Sequence, residues 1–115
     1  MTVKTSELLA AAADAIERHG HTKGELARRS GPDYGPMCLV GALNFIANGD
    51  PHKHDTIAHK KSRRYLEQLL DLPKAPINMP LAPIVDWNNN DKRTQDEVVR
   101  ALREAASMAA TDEAA

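Results

Sequence analysis

The sequence predicts an all-α fold: a compact single-domain bundle of about four helices with a central apolar helix and a proline-rich extended connector. Three observations predict it. Apolar residues recur with a helical period in four separate stretches. The segment CLVGALNFIANG, Cys38 to Gly49, has no charged residue and contains the only cysteine and the only phenylalanine of the chain. Pro73, Pro76, Pro80 and Pro83 interrupt PKAPINMPLAPIVDW too often for a helix or central strand to run through it.

In the first stretch Leu8, Leu9, Ala12, Ala13 and Ile16 share one side of a helix, with Glu7, Asp14, Glu17 and Arg18 opposite. Thr5 or Ser6 is placed to cap it and Gly20 to stop it. HTKGELARRSGPDYGP follows, a loop with a helical fragment at Glu25 to Arg29, halted by Gly31, Pro32, Gly35 and Pro36. In the Cys38 helix, Leu39, Val40, Ala42, Leu43, Phe45, Ile46 and Ala47 cover nearly the whole circumference, so this helix is expected to be buried. From about Asp55 to Leu72, Ala58, Tyr65, Leu66, Leu69 and Leu70 face one way and Lys60, Arg63, Arg64 and Glu67 the other. The connector residues Ile77, Met79, Leu81, Ile84, Val85 and Trp87 are too apolar for a free linker and are expected to lie against the helices. The last helix opens on a capping box, Thr94 to Glu97, and carries the stripe Val98, Val99, Leu102, Ala105, Ala106 and Ala109. The expected core is Cys38, Leu39, Leu43, Phe45, Ile46, Trp87 and Leu102, in one domain over residues 1–110 with a frayed tail at 111–115.

The bulk numbers narrow the function classes. At 115 residues one core is sufficient without staples. No apolar run approaches the roughly 20 residues that cross a bilayer, so no membrane partner is expected. The lone Cys38 forms no intrachain disulfide and no signal-like segment opens the chain, so the expected compartment is the cytoplasm. Fifteen basic against sixteen acidic residues leave a net charge of -1, which excludes a global electrostatic footprint for nucleic acid.

Locally, five features invite chemistry. Cys38 sits near a helix start, where amides favour a thiolate, but its apolar neighbours favour burial. His52, His54 and His59, with Asp55, lack the second ligand pair of a zinc site, so neither metal nor cofactor is expected. Lys53, Lys60, Lys61, Arg63 and Arg64 form a candidate binding patch for phosphates or an acidic protein surface. GELARRSG imitates the first half of a helix-turn-helix, yet the recognition helix that should follow lacks Arg, Lys or Gln to read a groove. Trp87 and the run Asn88, Asn89, Asn90, Asp91 suit packing followed by a turn ahead of a capped helix.

Leu8-Leu9, Ala13, Ile16 and Arg18, the Lys23-Gly24 loop, Cys38-Leu39-x-Gly41-Ala42-Leu43, Trp87-Asn88, and Val98, Leu102 and Ala106 behind Thr94 together resemble a family of small uncharacterised proteins of actinobacteria and their phages. The resemblance covers nearly the whole chain. It departs at His21, where an aromatic residue, usually Trp, is expected, and at Asn89, where Asp is expected. It implies origin and fold and carries no established activity. The expected function is a small non-enzymatic interaction protein, phage-encoded, binding a host protein, a partner protein or a second copy of itself. Nucleic-acid binding through Lys53 to Arg64 is the second class and a cysteine-dependent enzyme the third.

Overall fold

The computed structural model describes residues 3–30 and 33–115; the expected turn residues Gly31 and Pro32, and the first two residues of the expected domain, lie outside the described residues. Seven elements follow in chain order: α1 (Thr5–His19), β1 (Ala27–Ser30), β2 (Asp33–Met37), α2 (Leu39–Asn48), α3 (Thr56–Leu70), α4 (Ala82–Asn89) and α5 (Gln95–Ala114). The architecture is mostly helical, with five helices among the described residues and a small two-stranded sheet rather than a strict four-helix bundle.

Helices α1 and α5 are antiparallel partners. Leu8, Leu9, Ala12, Ala13 and Ile16 of α1 are buried, as are Val98, Leu102, Ala105, Ala106 and Ala109 of α5, and the many alanines let the two backbones approach. Arg103 closes the outer edge with Asp14 at 2.9 Å and Glu17 at 2.6 Å. At the other end Ser6 meets Glu113. Lys4, not Thr5 or Ser6, is the α1 N-cap and gives no side-chain cap, so a tertiary contact from Glu113 serves the Ser6 amide instead. The capping box of Thr94 and Glu97 opens α5, which continues through Ala114 across the stretch treated in the sequence as a tail.

The apolar helix α2 is central, touching α1, α3, α4 and β2. Leu39 to Asn44 are buried, whereas Phe45, Ile46 and Ala47 pack half-buried at the rim. Of the other residues assigned to the core, Cys38 and Leu102 are buried and Trp87 is half-buried beneath the Arg93 guanidinium, 3.9 Å from its ring centre. Cys38 is the N-cap of α2: its Sγ accepts from the Gly41 amide at 3.3 Å. At the far end Gly49, left-handed at φ 82°, donates its N–H to Phe45 O.

Three expectations are corrected. In place of the helical fragment expected at Glu25 to Arg29, Glu25 and Leu26 form a bend and Ala27–Ser30 is β1, paired antiparallel with β2 in the register Ala27 to Met37, Arg29 to Tyr34 and Ser30 to Asp33. Non-local bonds decide this: Met37 N donates to Gly20 O, Thr22 N to Met37 O and Cys38 N to Leu26 O, overriding a local preference for helix. The connector is not extended throughout, because Pro83 falls in the first turn of α4, where a missing N–H costs no helical bond. Finally, Ile84 is buried and Leu81, Val85 and Trp87 pack on the core, but Ile77 and Met79 are exposed at the tip of the preceding loop. Among the described residues no helix is long and apolar enough to cross a membrane.

Candidate functional site

A cleft of about 950 Å³ opens between the start of α1, the outer face of α3 and the end of α5. Helical spacing builds its cationic wall. Because His59, Ser62 and Leu66 point inward from α3, the residues between them, Lys60, Lys61, Arg63 and Arg64, are turned to the outside. Lys4 joins them from the segment before α1. Arg63 spends its charge on Glu67, one turn on, at 3.6 Å. Among the described residues, Lys4, Lys60, Lys61 and Arg64 form no ion pair.

The last turn of α5 forms the opposing wall. Glu113 accepts from the Ser6 amide at 3.2 Å and from the Ser6 hydroxyl, and Asp112 accepts from the Tyr65 hydroxyl at 2.8 Å. The Ser6 hydroxyl bond, with help from its amide and from Lys4, pulls the Glu113 carboxyl below its ordinary range. The bond to Asp112 pushes the Tyr65 phenol up. The cleft therefore already seats one carboxylate of α5, Glu113, while Asp112 holds its wall residue Tyr65. It gathers four of the five residues of the sequence-derived patch and adds Lys4. Lys53 is exposed outside it, in the turn after α2, where its carbonyl accepts from Asn48 Nδ2.

Three of the five histidines, His21, His54 and His59, enter two polar clusters. Asn44, fully buried on α2, accepts from His59 Nε2 through Oδ1, and its Nδ2 donates to Pro51 O at 2.7 Å and to His54 Nδ1 at 3.2 Å. An amide oxygen only accepts, so His59 carries its proton on Nε2 while His54 offers a bare Nδ1. Burial, then the neighbouring His54, lowers the pKa of His59. Among the described residues no group of three or more His, Cys, Asp or Glu side chains could hold a metal ion. His52 is exposed, its ring 6.2 Å from that of Tyr34.

The second cluster centres on Asn88, 1% exposed at the end of α4. Its Oδ1 accepts from His21 Nε2 at 2.8 Å and from the Leu39 amide at 3.1 Å, and its Nδ2 donates to Thr22 O at 3.2 Å. Asn89 accepts from the Gly24 amide at 2.9 Å, and Lys23 Nζ donates to Asn90 O at 2.7 Å and Asp91 O at 3.2 Å. The asparagine run thus fastens the loop after α1 to the start of α2, a role its composition alone did not reveal. Cys38 stands beside this junction, and burial pushes its thiol up, opposite to the shift a nucleophile needs.

Neither Lys4 nor Glu113 carries a local signal for the cleft, because both reach it through the pairing of the first and last helices. Lys60 to Arg64 did carry one, as a charge run on a helix. No curated protein and no solved structure matches the chain. Residues 1–108 match the family model DUF6197, described as a family of unknown function, and the chain belongs to that family.

Proposed function

We propose that the chain is a small non-enzymatic interaction protein whose cleft takes an acidic segment of a partner protein. One observation carries this reading: Lys4, Lys60, Lys61 and Arg64 stand without ion pairs among the described residues in a concave site whose other wall holds a carboxylate of the chain's own, Glu113. Such a site offers a separated carboxylate the charge it lacks, and attraction between exposed groups fades beyond about 8 Å at physiological salt, so the partner must enter the cleft. An apolar rim adjoins it, with exposed Ile57 and Val3 beside Lys61 and Thr5, which suits a protein segment with an occasional apolar side chain. A continuous phosphate backbone fits less well, because Glu67 and Glu113 stand in its path and Lys53 lies off it. The resemblance drawn from the sequence supports a phage-encoded protein acting in the cytoplasm of an actinobacterial host.

Fluorescence anisotropy with a labelled glutamate-rich peptide, beside single- and double-stranded DNA and RNA, tests the reading. Expected is salt-sensitive binding of the peptide that disappears in the variant Lys60→Glu, Lys61→Glu, Arg64→Glu, whose far-UV circular dichroism stays that of the parent. Nucleic-acid binding abolished by the same variant, with no peptide binding, would replace it with the second class.

A further inference from the structure

We infer that the last turn of α5 is a built-in competitor for the cleft, lining it with Glu113 and tying up the wall residue Tyr65 with Asp112 until an acidic partner displaces them. The inference rests on the function proposed above and adds its regulation. Glu113 is seated on Ser6 at the mouth of α1, in the same cleft as Lys4, Lys60 and Lys61, and Asp112 is held by Tyr65 from α3. These are the same chemical groups an acidic ligand would bring. Both seats are exposed, and exposed hydrogen bonds and ion pairs hold weakly. Yet a tethered competitor acts at a high effective concentration, so weak seats suffice to exclude a weak ligand. Ala109 anchors the helix in the core one turn earlier, whereas Ala110 to Ala114 are exposed, so the turn beyond Ala109 can open without disturbing the bundle. Selectivity follows: a ligand with one carboxylate exchanges like for like, while one with several recruits the unpaired cations as well.

The test measures the same glutamate-rich peptide against the full chain, the α5 variant Glu113→Gln, and the control Glu67→Gln, which likewise removes one carboxylate from the cleft but without touching α5. Amide hydrogen exchange across residues 109–114 is followed with and without saturating peptide. The inference expects affinity to rise several-fold in the α5 variant and less in Glu67→Gln, and exchange at 110–114 to accelerate when peptide binds the parent. Equal gains in both variants would mean a change in net charge alone and overturn it. Unchanged or slowed exchange on binding would also overturn it while leaving the acidic-partner function standing. If the peptide binds neither the parent nor the α5 variant, the function proposed above fails and the competitor falls with it.

Discussion

Gly41 faces the carbonyl of Leu26 so closely that a methyl group at position 41 would overlap the oxygen. The same carbonyl accepts from the Cys38 amide at 3.1 Å, so the hairpin side of the loop cannot retreat without breaking that bond. Gly41→Ala is therefore expected to cost about 1–3 kcal/mol or more, the range of overpacking rather than of helix propensity, which would favour alanine. Urea denaturation followed by circular dichroism measures it. A variant as stable as the parent would show that the hairpin can yield.

Stability should fall on the acid side of neutrality because of His59. Its folded pKa lies below the ordinary value of about 6.5, so just below that pH the unfolded chain binds a proton that the folded chain refuses. Stability then rises with pH across the window between the two values and is fully recovered above about 6.5. The loss on acidification is at most about 1.4 kcal/mol per pH unit from this group. His59→Gln keeps an N–H for Asn44 Oδ1 without titrating, so melts from about pH 7.5 to about pH 5.5 should show a shallower slope than the parent. An identical slope would assign the acid sensitivity elsewhere.

Cys38 should behave as a cap and not as a reagent. Serine accepts the same Gly41 amide, so Cys38→Ser is expected to stay within about 1 kcal/mol of the parent, whereas Cys38→Ala loses the cap and costs about 1–2 kcal/mol. Thiol labelling of the native protein should be slow and should accelerate with denaturant. Rapid labelling of the folded chain at neutral pH would contradict both its burial and its raised pKa.

Asn88→Leu keeps the branched side-chain shape but leaves the Leu39 amide and the Thr22 carbonyl without their buried partner. At about 1–3 kcal/mol for each unsatisfied group, the expected loss is several kcal/mol in total. Asn88→Asp keeps the acceptor for Leu39 and loses the donor to Thr22, and should fall between. The order parent, Asp, Leu in urea midpoints is the outcome to check; a reversed order would remove Asn88 from its role at the junction.

These sites were unequally legible in the sequence. Helices α1, α2, α3 and α5 follow from apolar period, and the Thr94 capping box marks its own helix, because those signals are local. The hairpin is not local: Thr22, Gly20 and Leu26 bond to Met37 and Cys38, and nothing in GELARRS announces those partners. Pro83 looked like a breaker because proline reads the same at the first turn of a helix as in a loop. Composition marked Ile77 and Met79 as apolar but could not say which side of their loop faces out. For the cleft, Lys60 to Arg64 were visible as one charged helix face, while the Ser6 to Glu113 contact joins residues 107 positions apart. Asn88 reads in the sequence as part of a turn and Asn44 as nothing distinctive, since a buried amide is recognised by its partners and not by its neighbours in sequence.

The pairing of α1 with α5 also dictates when this protein can finish folding. During synthesis α1 is made before its principal partner, so the part of its apolar stripe that α5 covers waits while the intervening chain is made, even though α2 and α3 already reach α1. Contacts of such long sequence separation form only after a large loop closes, which slows the step that completes the core. Until then the nascent chain presents an apolar stripe to whatever surrounds it, and chaperones, or another chain at the same stage, are its natural visitors.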